Sequence, residues 1–356
     1  MDLLLHTILP FVGVLVVLIV VHELGHYITA KLTGVKVLEA GLGYPPRIWG
    51  FTWRGTLYSI NWLPLGGFVR LLGEEDPSDP ASLAAKPRWV RLIVLFAGSG
   101  MNFLLPIFLF ALAFMIPREV NVGPTQITGV APDSPAAEAG LQPGDVIFAI
   151  DGESVRNVRE VSLAIRLNLG DTVDFTVKHS DGVVETLPVH ARWTPPSGQG
   201  PTGIKIGHLY PFTEKESFPP WEALPKGWTA TIDSLILARN EVIAMFKGGS
   251  GPKVTGPVGI AQATGEVVEQ SGWETLLEFA ALLSINLAII NALPLPMLDG
   301  GRIAFVLLEI VRRGRRIAPE KEALVHLVGL ALIITSAIVI TYFDVIRLIR
   351  GDSLFR

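Results

Sequence analysis

Residues 3–26 read LLLHTILPFVGVLVVLIVVHELGH: an apolar run over 3–21, long enough to cross a bilayer, passes directly into His22-Glu23-Leu24-Gly25-His26. On a helix, positions four apart are rotated by only ~40° from one another, so His22 and His26 can reach one metal ion from the same face, with Glu23 beside it. Zinc accepts two neutral imidazoles, and a carboxylate next to the ion can take a proton from water whose pKa the ion has lowered. The bland alternative is a pair of packed or capping histidines near a helix end. Ionisable groups at membrane depth are costly and are usually kept for function, which favours the metal reading and suggests a protease working inside the membrane.

Composition agrees with the membrane setting. Hydrophobic residues are 49% of the 356 and charged residues 17%, with a mean hydropathy of +0.46, too apolar for an ordinary soluble chain of this size. Three further segments qualify as spans, 92–116, 276–293 and 324–349, making about four. The first is expected to stay in the mature protein, since no Lys or Arg precedes it and no small-residue cleavage site follows before the motif. Arg302, Arg312, Arg313, Arg315, Arg316 and Lys321 crowd between the third and fourth spans, and Lys31, Lys36, Arg47, Arg54 and Arg70 follow the first, so both loops are expected on the cytoplasmic side and both termini outside. The long segment between spans two and three is then extracytoplasmic. A net charge of -4 gives no hint of nucleic acid, and the absence of cysteine excludes disulfides and thiolate ligands, leaving zinc to His and carboxylate.

Two histidines leave zinc short of a protein ligand. Asp299 is the candidate third: it stands in Asn291-Ala292-Leu293-Pro294-Leu295-Pro296-Met297-Leu298-Asp299-Gly300-Gly301, where two prolines end or break the third span. Such a break frees backbone at membrane depth, tolerated only where it is buried in protein or lines a wet cavity, as a hydrolytic site requires. A helix cap or turn aspartate before Gly-Gly is the alternative.

These two motifs resemble the site-2 protease family of zinc intramembrane metalloproteases, most closely the bacterial branch that regulates envelope-stress sigma factors. The stretch from Asn291 to Gly300 looks like that family's Asn-x-x-Pro-x-x-x-x-Asp-Gly pattern, and Pro64-Leu65-Gly66-Gly67-Phe68-Val69 and Gly256-Pro257-Val258-Gly259-Ile260 are similar to further family signatures. Gly98-Ser99-Gly100-Met101-Asn102 departs from it, where relatives often show Gly-Pro before the Asn. The resemblance implies that His22, His26 and Asp299 hold Zn2+, that Glu23 is general base and proton shuttle, and that Asn291 contacts the scissile peptide. For Asn291 the residues alone leave a helix-interface amide as the alternative. The resemblance further implies a multi-pass protein of the bacterial inner membrane with its active site toward the cytoplasm. The implied substrate is a single-pass membrane protein, such as an anti-sigma factor already shortened by another protease or a leftover signal peptide.

Between residues 35 and 72, short alternating runs punctuated by Gly41, Gly43, Gly50 and Gly55 read as small β-structure. A transmembrane helix hides its peptide bonds, so a strand edge here, along 57–61, is expected to hold substrate extended by β-augmentation; a cytoplasmic hairpin covering the site is the alternative. Ser134-Pro135-Ala136-Ala137-Glu138-Ala139-Gly140-Leu141-Gln142-Pro143-Gly144-Asp145 closely resembles a PDZ domain of the permuted, protease-associated kind, with strands at 146–150, 173–177 and 183–189 and a helix over 158–169. Contact with a peptide or ectodomain, and service as a size filter, both remain open for it.

The expected organisation is an α-helical membrane protein with a small membrane-associated β-region and an inserted extracytoplasmic PDZ domain. It divides into a first transmembrane helix (1–34), β-region and loop (35–88), second helix (89–117), PDZ domain (118–195), linker and amphipathic helix (196–272), and third and fourth helices (273–356). The expected activity is zinc-dependent endopeptidase action on transmembrane segments. A non-catalytic scaffold holding partners through the PDZ domain is the rival, against which intact Glu23 and Asp299 argue. A tethered protease acting on soluble peptides is disfavoured by the motif's place beside a span.

Overall fold

At membrane depth a backbone finds no water to bond to, so the apolar run closes its N–H and C=O groups on themselves as helix. A π-helical segment, Leu3–Ile8, runs directly into α1 (Leu9–Leu32), and Pro10, which has no N–H to donate, stands at their junction. The structure, a computed structural model, describes residues 3–74, 76–249, 255–271 and 273–350. It divides into two compact units, one of Met1–Ala113, Ala223–Trp228 and Val254–Arg356, the other of Phe114–Glu222 and Thr229–Lys253.

In the first unit, α1 is followed by strands β1 (Val37–Trp53) and β2 (Thr56–Leu71) and by α2 (Arg88–Met115). β1 and β2 form a ribbon that folds back on itself: Glu39 faces both Leu57 and Arg70, and Leu42 faces both Ile60 and Gly67, while Trp49 to Trp53 pair outside Thr56 to Ile60. Four segments result, ordered 47–53, 56–61, 37–42, 67–71. This corrects one expectation, because 57–61 is paired on both sides and is no edge; among the described residues the free edges are 47–53 and 67–71. Buried polar groups in the ribbon find partners, as they must: Ser59 Oγ donates to Glu39 Oε1 at 2.8 Å, Arg70 reaches Glu39 Oε2 at 3.2 Å, and the Tyr27 and Tyr58 hydroxyls meet at 2.6 Å to join α1 to β2. Trp49, Phe51, Trp53 and Trp62 stay exposed, an amphipathic aromatic face of the kind that sits at a membrane interface.

The second unit holds β3 (Arg118–Val122), β4 (Thr125–Val130), α3 (Pro135–Glu138), β5 (Val146–Ile150), β6 (Glu153–Ser154), α4 (Val158–Leu167), β7 (Thr172–Lys178), β8 (Val184–His190), β9 (Ile204–His208) and β10 (Phe212–Glu216). One sheet runs β8-β7-β5-β4-β9 with β6 paired to β5, and β10 pairs with β3. Its core gathers Ile127, Ile147, Val161, Val173, Phe175 and Val177. Asn157 caps α4 by accepting from the Glu160 amide at 2.9 Å. His179, hydrogen-bonded to Asp145 at 2.9 Å, has its pKa raised by that bond, a structural use of both residues. The stretch read as a linker after Pro196 carries β9 and β10: both are five residues long and flanked by Pro and Gly, so their pairing with β4 and β3 is invisible locally.

Helix α5 (Pro220–Phe246) contributes to both units. The first unit resumes with α6 (Pro257–Ser271), α7 (Trp273–Ala292), α8 (Asp299–Val311) and α9 (Pro319–Arg350). Four helices of the described residues are long and apolar enough to cross a membrane, Leu4–Leu32, Arg88–Met115, Glu274–Ala292 and Glu320–Arg350. Even the shortest, at 1.5 Å per residue, spans about 28 Å, close to the hydrocarbon thickness of about 30 Å. Two arginines of α2 pin α8 through Glu309, which receives Arg91 at 2.6 Å and Arg88 at 3.2 Å, and Arg316, in the loop after α8, reaches the same carboxylate at 3.4 Å.

One carboxylate fastens α6 to α9. Asp344, 1% exposed, accepts from the Gly256 and Gly259 amides at 2.9 and 3.0 Å, two of the N–H groups a helix start leaves without partners, and also pairs with Arg347. Asp344→Ala strands both amides and the guanidinium, and is expected to lower unfolding free energy by about 2 kcal/mol in detergent denaturation. Asp344→Asn, which keeps an acceptor oxygen, should lose less; an unchanged midpoint for the alanine variant would refute the latch.

Candidate metal centre

α1 presents His22 and His26 one turn apart, their rings 4.9 Å between centroids and 74° to one another. The His26 Nδ1–H donates to the Val94 carbonyl at 2.8 Å; a carbonyl only accepts, so this bond leaves the Nε2 lone pair free. Pro294 and Pro296 follow the end of α7, the chain turns through Met297 at φ 72°, and α8 begins at Asp299. The Met297 N–H donates to His326 Nδ1 at 2.8 Å, so the loop is held by α9. Asp299 Oδ2 thereby comes to 3.2 Å from His22 Nε2 and 3.3 Å from His26 Nε2, and the two imidazole nitrogens lie 3.3 Å apart.

These atoms fit a metal ion. Asp299 Oδ2 is fully buried and has no hydrogen-bond partner, yet it faces an imidazole nitrogen bearing a lone pair, an arrangement that repels itself unless a cation intervenes. A triangle with sides of 3.2, 3.3 and 3.3 Å has its centre about 1.9 Å from each corner, so an ion slightly out of its plane reaches all three at the about 2.0–2.2 Å of Zn–N and Zn–O bonds. Two nitrogens and one oxygen make a zinc set that leaves a position open.

Small residues make the room. A Cβ on Gly98 of α2 would come within 2.6 Å of His22 Nε2 and strike His26 as well, and one on Gly25 would lie 2.7 Å from the Ala97 carbonyl carbon, so glycine at both positions lets α1 and α2 close around the rings. Glu23 points into an apolar groove of about 370 Å³ between α1 and the folded ribbon, with Leu24 and Tyr27 on one wall and Gly67, Phe68 and Val69 on the other. Asn291 sits half-buried in the last turn of α7 and makes no hydrogen bond to the three convergent residues among those described. The sequence reading quoted Gly98 and Asn102 only within a departure from the family pattern and gave neither a place at the site, and it did not foresee the contact His326 makes with the ligand loop. Gly98 and Asn102 share an i, i+4 spacing on the second span, a signal for one helix face; His326 offered none.

The model of peptidase family M50 matches residues 10–336. The chain belongs to this family. Among curated M50-like relatives, the zinc metalloprotease RasP of Oceanobacillus iheyensis is 31% identical over 96% of this chain and 99% of its own. A Clostridium perfringens protein whose name assigns it provisionally to the zinc metalloproteases is 33% identical over 92% of this chain and 95% of its own. The PDZ domain of an SdrC-like protein from Listeria innocua, a crystal structure, is similar at 30% identity over 24% of this chain and 97% of that one, with a TM-score of 0.22. The protein is thus a membrane metalloendopeptidase of the M50, or site-2 protease, family, whose cofactor is zinc.

Gly98→Ala is expected to push the imidazoles apart and weaken zinc binding by at least tenfold, read by metal analysis of purified protein. Gly100→Ala, whose Cβ would meet only the Phe96 ring at 3.5 Å, should bind as the parent does. Equal zinc in both would place the metal elsewhere.

Proposed function

We propose that His22, His26 and Asp299 hold the zinc, that Glu23 is the general base, and that the enzyme cleaves transmembrane segments of single-pass membrane proteins in regulated intramembrane proteolysis. The supporting observation is the convergence of those three side chains beside a groove that Glu23 enters, in a chain with four span-length helices. Zinc supplies Lewis acidity, lowering the pKa of water and polarising the peptide carbonyl. Glu23 takes the proton from the attacking water as the new C–O bond forms and delivers it to the departing amide nitrogen as the C–N bond breaks. The walls around that carboxylate are mostly apolar.

Substrate presentation falls to the ribbon. A helix offers no free peptide groups, so the scissile segment unwinds and adds as a strand along the edge at 67–71, the segment whose Gly67 lies against Glu23. Asn291, at the end of α7 just before the ligand loop, takes the lesser role of contacting the scissile peptide. The basic residues of 31–70 and 302–321 favour a cytoplasmic active side. The second unit, a PDZ-type domain on this reading, lies on the extracytoplasmic side, where it limits access by bulky ectodomains. Anti-sigma factors and remnant signal peptides fit this substrate class.

Full-length protein in bilayers is expected to carry one zinc, lost in His22→Ala and Asp299→Ala. Glu23→Gln should keep the zinc and lose cleavage by 10²- to 10⁴-fold. Zinc-free parent protein would defeat the assignment, and a Glu23→Gln variant cleaving at the parent rate would remove Glu23 from the chemistry. A cleaved transmembrane peptide should lose turnover at least tenfold when its membrane anchor is removed, when alternate backbone amides near the scissile bond are N-methylated, or when a folded ectodomain is attached. Indifference to any one change rejects, respectively, the intramembrane substrate, the strand clamp or the size filter.

A further inference from the structure

We infer that Asn102 is a positioning residue for the metal centre: its side-chain carbonyl accepts the Nδ1–H of His22 and thereby commits His22 Nε2 to the metal. The inference rests on the assignment of His22, His26 and Asp299 as zinc ligands. It starts from an asymmetry between the two histidines. His26 has its tautomer fixed by the Val94 carbonyl, which cannot donate. His22 makes no such bond to a backbone carbonyl among the described residues; the atom placed opposite its Nδ1, at 3.3 Å, is the amide nitrogen Nδ2 of Asn102, while Asn102 Oδ1 is left without a partner.

A carboxamide can act either way, donating through its NH2 or accepting through its oxygen after half a turn about the Cβ–Cγ bond. The choice decides the chemistry. If Asn102 donates, His22 carries its proton on Nε2 and cannot bind a metal there; if Asn102 accepts, the proton sits on Nδ1 and the Nε2 lone pair joins those of His26 and Asp299. Nε2 is the His22 nitrogen facing Asp299 and His26, so only the accepting orientation is compatible with the three-residue site.

The surroundings support a dedicated role. Asn102 is 0% exposed, its Oδ1 is buried without a partner, and its backbone carbonyl accepts from Ser284 Oγ at 2.9 Å, which fixes this turn of α2 against α7. One turn earlier on the same face, the Ser99 hydroxyl is likewise buried and unpartnered, an acceptor for the amide N–H once the oxygen has turned to His22. Gly98 and Asn102 thus divide the work on one stripe of α2, the first leaving space for both rings and the second setting the state of one.

The test uses full-length protein and zinc competed against a chromophoric chelator. Asn102→Leu, of similar volume but unable to accept, should weaken zinc 10- to 100-fold, whereas Asn102→Asp, which accepts and cannot donate when ionised, should stay within threefold of the parent or bind tighter. Equal loss in both variants, or no loss in the leucine variant, overturns the inference; if the leucine variant does not fold, the aspartate variant decides alone. Nitrogen-15 histidine spectra of the zinc-loaded proteins give a readout that packing alone would not move: the His22 Nδ1 proton should be present and hydrogen-bonded in the parent and in Asn102→Asp. An identical His22 Nδ1 resonance in all folded variants overturns the inference. A parent protein that takes up no zinc overturns the ligand assignment itself, and this inference with it.

Discussion

Two imidazole nitrogens and a carboxylate oxygen stand 3.2–3.3 Å apart, largely away from water, and their mutual repulsion is the constraint around which the first unit is organised. Bringing such atoms together without a cation costs several kcal/mol in desolvation and unsatisfied lone pairs. The protein meets the geometric demand from three directions. α1 supplies both rings at a one-turn spacing, α2 approaches closely enough for the Val94 carbonyl to accept the His26 Nδ1–H, and the start of α8 delivers the carboxylate across a proline-rich loop. Only the first of these placements is local to the residues it serves.

On the proposed function, the ribbon beside the site answers a different demand. A protease acting on a membrane helix must offer alternative partners for the peptide groups it exposes, and an unpaired strand edge offers them in a row. Folding β1 and β2 back on each other gives a sheet from two strands, with one free edge near Glu23 and an aromatic face exposed. Its buried polar groups, Glu39, Ser59 and Asn61, are bonded to one another, and the exposed Arg70 closes on Glu39 from the surface, so the ribbon carries no buried defect there.

What the sequence revealed was what spacing and length encode. The spans were legible because bilayer thickness sets a residue count, His22 and His26 because helical periodicity brings four-apart residues together, and Asp299 because two prolines in an apolar stretch announce broken backbone. The fold-back of the ribbon was not legible: segment 57–61 alternates like an edge strand, and only pairing with two separate partners shows it to be interior. β9 and β10 were hidden likewise, their partners β4 and β3 lying many residues earlier in the chain. Asn102 and His326 escaped because their roles arise where one helix packs against another: the i, i+4 spacing of Gly98 and Asn102 marks a shared face but not what that face meets, and His326 has no such spacing at all.

The final helix carries no ligand and no base, yet it holds the molecule at two levels. Near its start His326 fixes the amide of Met297, two residues before Asp299; eighteen positions later, about 27 Å along the axis, Asp344 grips the beginning of α6. That interval is nearly the depth of the hydrocarbon layer. α9 therefore works as a gauge rod: it sets the distance between the ligand loop at one depth and the base of α6 at another. The carboxylate's position is in this way referred to a point about 27 Å away along α9 as well as to its immediate neighbours.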